Sequence, residues 1–262
     1  MTSRAAYVPY TQIVDELPIQ KGDIVYVVSD ILELAKVCRD NGEAFDSESF
    51  IHSLQSAVGE DGTLLFPTFN WDFCKGVAFD YHKTIGKTGT LGNKALKMPG
   101  FKRTRHPMYS FAVWGKTQSD LLALDNHSGF GENSPFMYMF KNKAKALVIG
   151  LTASIGNTFL HYVEQMVGVD YRYDKDFSAP YIDESGNAKN QTYSMYVRDM
   201  DLDPKHTSFT AIDEVMSTLG ICKDIKINKI PFHVVDLPGM FEVVSLELRY
   251  NNANNLYTFT GR

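Results

Sequence analysis

The chain has 262 residues, 44% hydrophobic and 13% aromatic, enough apolar material for a sizeable core and too much for intrinsic disorder. Its 26 Lys and Arg against 31 Asp and Glu leave a formal charge of −5, so the broad basic face of a nucleic-acid binder is not expected. Cys38, Cys74 and Cys222 stand far apart without a CxxC pair, which suits reduced thiols in a cytoplasmic protein better than a disulfide framework. The first twenty residues lack an apolar signal core, and no apolar run approaches the ~18–20 residues of a membrane span, so neither secretion nor a membrane role is expected.

In chain order, residues 24–28 (IVYVV) are short, continuous and β-branched, which predicts a buried strand. Ser29-Asp30 then turns into a helix over 31–38, and the free N–H groups of such a helix start form an anion site. Asp46 and Ser47 suit the cap of a second helix, which carries Phe50, Ile51, Leu54, Ala57 and Val58 on one face and stops at Gly59. A strand over 63–66 follows, ended by Pro67, and the rhythm is that of a sheet with helices packed on it. Residues 70–87 are aromatic and irregular, and a loop of that length is expected to line a site. A short helix over 91–97 stops at Met98-Pro99-Gly100. The basic segment 101–106 (FKRTRH) runs into a strand over 109–114, and a helix over 118–124 precedes a loop holding His127, Phe130 and Ser134.

Residues 146–150 (ALVIG) read as a third buried strand, and Asn157 or Thr158 caps a helix that runs to Val167. Beyond it, 191–198 alternates like a strand and 209–219 reads as an amphipathic helix. Residues 225–235 read as two short strands broken by Pro231, and 237–250 fits either helix or strand. No repeat or linker marks a boundary, so residues 1–262 are expected to form a single α/β domain: a central mixed sheet flanked by helices, with a smaller additional lobe.

Three places in the sequence suit chemistry. His161 and Glu164 lie three apart on a predicted helix and share a face, so the carboxylate can fix the imidazole tautomer and raise the basicity of its other nitrogen; the plainer reading is a polar stripe on a surface helix. Arg103 and Arg105 beside His106 can hold phosphates by charge-assisted hydrogen bonds, or form a solvated loop. The turn Val28-Ser29-Asp30 is either an anion site weakened by the Asp30 charge or a simple helix cap. There is no GxSxG elbow, Walker loop, GxGxxG or HExxH, and the spacing of His82, His127 and His206 specifies no metal site, so no metal is expected. Cys74 reads as a buried thiol.

Five stretches in order, GDIVYVVSD, AVGEDGTLLFPTFN, TGTLGNKALKMPGFKRTRHPMYSFAVWG, FGENSP and VIGLTASIGNTFLHYVE, together resemble the aminoglycoside 3-N-acetyltransferase family, from about residue 21 to 165 and more weakly to about 236. The resemblance implies a single α/β acetyltransferase domain, acetyl-CoA as donor and a small-molecule amine as acceptor. It places the family's His–Glu pair on His161 and Glu164 and the HPxxS stretch, near the pantetheine arm, on His106, Pro107 and Ser110. The coenzyme-binding turn falls on Ser29, Asp30 and Ile31, with Arg103 added as a phosphate ligand; Thr68, Asn70 and Asn157 are expected on the acceptor side.

The pattern is not kept throughout. The V-H-S-S turn reads Val27, Val28, Ser29, Asp30, and D-S-N-T before the catalytic helix reads Ile155, Gly156, Asn157, Thr158. The lost acidic residue suggests an acceptor less cationic than an aminoglycoside, such as a nucleotide-linked amino sugar. The alternatives are a resistance enzyme acting on aminoglycosides and a catalytically silent binding protein of the same fold. The resemblance also leaves room for a homo-oligomer.

Overall fold

The computed structural model describes residues 6–154, 156, 158–202, 204–206 and 209–260. Side chains along a strand alternate between faces, and in β1 (Ile24–Ser29) both faces are buried: Val25 and Val27 enter one core, Tyr26 and Val28 the other. A continuous apolar run encodes this two-sided burial. The next elements are α1 (Leu32–Asp40), α2 (Ser47–Val58) and β2 (Thr63–Pro67). Asp46 caps α2 by accepting from the Ser49 N–H, and Gly59 ends it at φ 67°, as its sequence predicts.

The chain continues through a 3₁₀ turn (Asp72–Lys75), β3 (Phe79–Asp80), α3 (Leu91–Ala95), β4 (Lys102–Arg103), β5 (Phe111–Gly115), α4 (Gln118–Ala123) and α5 (Pro135–Lys141). Then come β6 (Lys145–Ile149), α6 (Phe159–Val167), β7 (Arg172–Ile182), β8 (Ala188–Arg198), β9 (Pro204–His206) and α7 (Thr210–Thr218). The chain closes with β10 (Cys222–Ile227), β11 (Ile230–Asp236), α8 (Leu237–Tyr250) and β12 (Tyr257–Phe259). The main sheet runs β10-β11-β6-β1-β2-β5-β4, with β1 parallel to β2 and β6 and every other pairing antiparallel. Helices α1, α2 and α3 contribute to one core, and α5, α6, α7 and α8 to the other. The smaller lobe is the sheet β3-β7-β8, accompanied by the pair β12-β9.

Three expectations change. Residues 225–235 do fall in two strands, but the break is not at Pro231; the hairpin turns at Asn228 and Lys229, both at positive φ as a tight hairpin turn demands. Residues 237–250 are helical because the Asp236 side chain accepts from the Gly239 N–H and Pro238 occupies the first turn. The β7–β8 hairpin also reaches well back of residue 191, through polar positions that carry little hydrophobic alternation.

The carboxyl ends of β1, β2 and β6 open on the same side, the crevice where α/β sheets place their sites. Gly150, at φ 71°, lets the β6–α6 loop cross this end: a Cβ there would stand 2.3 Å from the Asp30 carbonyl oxygen. The first turn and the β6–α6 loop, some 120 residues apart in sequence, therefore meet.

Candidate active site

Helix α6 buries Phe159, Leu160, Tyr162 and Val163 and holds Glu164 at 0% exposure, while His161 one turn earlier keeps 24% of its side chain in solvent. Three residues apart on a helix is one turn, and the His161 Nδ1 sits 2.6 Å from Glu164 Oε2. The carboxylate is held from other sides as well: the Tyr171 hydroxyl donates to Oε1 at 2.9 Å, and Arg172 Nε lies 2.8 Å from Oε2. Arg172 is fixed in turn by its bonds to the Tyr196 carbonyl and the Tyr257 hydroxyl. The Phe130 ring and the imidazole meet in an edge-to-face arrangement, with centroids 5.9 Å apart.

Burial alone would raise the Glu164 pKa, but His161 and then Arg172 outweigh it and hold the carboxyl well below its usual range. Burial pushes the His161 imidazole below its ordinary value and Arg172 adds to that, against the pull of Glu164. Both directions describe a neutral imidazole donating Nδ1–H to an ionised carboxylate, which leaves Nε2 for proton transfer.

Side-chain alternation along β7 puts Arg172, Asp174 and Asp176 on one face. Gln165, next to Glu164, donates to both Asp174 oxygens at 3.0–3.1 Å and to Ser128 Oγ at 3.0 Å, and His127 Nε2 is 3.1 Å from Asp176 Oδ1. The strand that steadies the dyad thus lines the adjoining surface with two carboxylates.

The profile of the family described as aminoglycoside 3-N-acetyltransferase matches residues 27–248. The chain belongs to this family. It is 25% identical over 182 residues to the SPbeta prophage-derived aminoglycoside N(3')-acetyltransferase-like protein YokD of Bacillus subtilis (strain 168), a match spanning 60% of this chain and 64% of that relative's length. The sisomicin-bound AAC-VIa structure superposes with a TM-score of 0.77 at 19% identity, over 94% of this chain and 99% of that one. AAC-IIIb in its binary form with CoASH gives 0.75 at 20%, covering 93% and 98%; YokD from Bacillus subtilis gives 0.74 at 20%, covering 96% and 97%. Structural likeness at such identities establishes the aminoglycoside 3-N-acetyltransferase fold, a mixed sheet flanked by helices.

Several residues expected to touch ligand are internal. Arg103 is 3% exposed: its guanidinium donates to the carbonyls of Tyr81 at 3.0 Å and Thr84 at 2.6 Å and lies over the Phe79 ring, pinning the loop before α3. Those carbonyls take the place of the expected phosphates, and the exposed arginine of the segment is Arg105. His106 is fully buried, with Nδ1 accepting from the N–H groups of Met108 and Tyr109, so it shapes the turn into β5 and offers no surface to coenzyme. Ser110 and Thr68 are buried and bonded to each other, Oγ1 to Oγ at 2.9 Å, and clamp β5 to the end of β2.

Asn70 spends its amide on the Ile85 carbonyl and its oxygen on the Asp72 N–H. It borders a pocket of about 370 Å³ with Asp72, Phe73, Phe79 and Lys83 that does not include His161. The long loop over 70–87 therefore lines a cavity, away from the His161–Glu164 pair. At the first turn, Asp30 Oδ1 accepts from the Leu32 N–H at 3.0 Å and so engages one of the N–H groups of the helix start expected to bind phosphate; Ser29 and Ile31 flank it half-buried. Asn157, together with Ile155, lies outside the described residues.

Sequence reading missed Tyr171, Arg172, Tyr257, Gln165 and Asp174. All but Gln165, which follows Glu164 on α6, come from elsewhere in the chain, and their one local signal is the alternation of Arg172, Asp174 and Asp176.

Proposed function

We propose that this chain transfers the acetyl group of acetyl-CoA to the primary amine of an amino-sugar-like acceptor, with His161 as general base and Glu164 as the group that holds it. One observation carries the reading: a His161 Nδ1 committed to a buried, ionised carboxylate at 2.6 Å, on an imidazole still partly open to solvent. Acetyl-CoA supplies the thioester carbonyl. His161 Nε2 takes a proton from the attacking amine as the C–N bond forms and returns it to the departing thiolate as the C–S bond breaks, so charge and protons balance. Free amines are mostly protonated at neutral pH, so a base has a defined task, contributing about 10²–10⁴-fold.

The fit to coenzyme is uneven along its length. Asp30 takes one N–H of the helix start after β1 and brings a negative charge there, and Arg103 is engaged with carbonyls, so phosphate contacts fall to exposed groups such as Arg105. Asp174 and Asp176, carried beside α6, favour a cationic acceptor. They offset the acidic residue absent at Ile155 and support an aminoglycoside-type amine over a nucleotide-linked sugar, whose phosphates they would repel. Sisomicin in the AAC-VIa structure and CoASH in the AAC-IIIb structure agree with both halves of the proposal.

The test follows thiol release from acetyl-CoA with a panel of aminoglycosides and nucleotide-linked amino sugars. Release with the former, lost in His161→Ala while coenzyme binding persists, supports the reading. Near-wild-type turnover in His161→Ala removes the base assignment, and coenzyme binding without release across the panel makes the chain a silent binding protein.

A further inference from the structure

A second group of titratable side chains lies far along the main sheet, on the β10–β11 hairpin. Two residues apart on one strand share a face, so Cys222 and Asp224 point the same way. In the antiparallel register His233 is directly opposite Asp224, on that same face. The geometry follows: the Cys222 thiol donates to Asp224 Oδ1 at 3.3 Å, His233 Nδ1 is 2.5 Å from the same oxygen, and the three donor atoms lie within 4.8 Å of one another. From α7, Ser217 donates to the other Asp224 oxygen.

We propose that Cys222, Asp224 and His233 form a binding site for a divalent transition-metal ion, with zinc best matched to one thiolate, one carboxylate and one imidazole. Tetrahedral ligands at ~2.0–2.3 Å stand roughly 3.3–3.7 Å apart. The Cys222–Asp224 separation already fits, and the His233–Asp224 contact need only open by about 1 Å as the ion replaces the proton between them. Asp224 sits at the centre of the three, bonded to both others. A Cys–His nucleophile pair would need the imidazole in that place, so the arrangement suits an ion and not a second catalytic thiol.

The ion has a way in. A groove of about 650 Å³ reaches Ser217, Cys222 and Asp224, with Asp15 and Glu16 adding negative charge against Lys223. Metal binding at Cys222 displaces the thiol proton to solvent. Three protein ligands leave a fourth position for water or for Asp213, which is bonded to Ser154 Oγ in the β6–α6 loop.

Cobalt(II) titrated into the chelator-stripped full chain tests this. One equivalent should produce a thiolate-to-cobalt charge-transfer band with tetrahedral d–d bands, both bleached by zinc. Cys222→Ser should remove the charge-transfer band, and His233→Ala should weaken cobalt binding by more than the ~10–100-fold that loss of an outer partner costs. Cys38→Ser and His161→Ala should leave the spectrum intact, which separates this site from the acyl-transfer proposal. Should Cys222→Ser fail to fold by circular dichroism, His233→Ala carries the test alone. Absence of the charge-transfer band in the wild type, or its survival in a folded Cys222→Ser, overturns the proposal, as does cobalt affinity unchanged in His233→Ala.

Discussion

Replacing Glu164 by Gln keeps the size of the side chain and removes its charge, so it isolates what the carboxylate does for His161. The bond lost is short, 2.6 Å, and wholly buried on the carboxylate side. Hydrogen bonds to charged groups contribute about 1.5–3 kcal/mol, and about 1.36 kcal/mol corresponds to tenfold in rate. Glu164→Gln should therefore lower kcat by about 10- to 150-fold, less than His161→Ala, with little change in the KM for acetyl-CoA, because the interaction acts on the imidazole and not on bound substrate.

The same substitution strips Arg172 of its counter-charge 2.8 Å away. Breaking a buried pair costs about 3–5 kcal/mol, so urea unfolding must be followed in parallel. The decisive assay is a double-mutant cycle with His161→Ala. If Glu164 works through the imidazole, Glu164→Gln has almost no further effect on kcat once His161 is gone. An equal loss in both backgrounds would show that the carboxylate only stabilises the fold, and would refute the orienting role.

Exchanging Arg103 for Met should destabilise the chain by about 2–4 kcal/mol in urea, since several buried carbonyls lose charge-assisted donors, while the KM for acetyl-CoA changes little; Arg105→Ala should raise that KM without a comparable stability loss. Gly150→Ala should lower Tm strongly, because its Cβ would meet the Asp30 carbonyl at 2.3 Å in a left-handed backbone; an unchanged melt would mean that the β6–α6 loop shifts freely. Acid stability reports on His106, whose pKa burial lowers to about 3 from its ordinary 6.5. The unfolded chain binds a proton there that the folded chain does not, so its contribution is complete above pH 6.5 and is lost as pH falls toward about 3. By pH 4.5 the loss is about 2–3 kcal/mol. His106→Asn should flatten that part of the stability profile measured by urea titration.

The two-sided strands, the α2 cap at Asp46 and the His161–Glu164 contact were all legible in local sequence, because each depends on side-chain period or on residues within one turn. The anion-site readings at Asp30 and Arg103 share one weakness: a charged side chain near a loop looks alike from sequence whether its partner is a ligand or the chain's own backbone. Asp30 found the Leu32 N–H, and Arg103 the carbonyls of Tyr81 and Thr84. Arg172 and Tyr257 were beyond reach because they meet Glu164 from β7 and β12, at sequence distances where spacing carries no information. The Cys222, Asp224 and His233 group depended on hairpin register, which a reading that broke the hairpin at Pro231 had hidden.

Arg172 and Tyr171 reach Glu164 from the small lobe, while His161 and Glu164 belong to a helix of the main sheet. A chain whose lobe has peeled away would keep its imidazole but lose the clamp on the carboxylate behind it. On the proposed mechanism, proton transfer therefore requires the docked lobe: under mild urea, turnover should vanish at concentrations where the far-ultraviolet signal of the large sheet is still nearly intact.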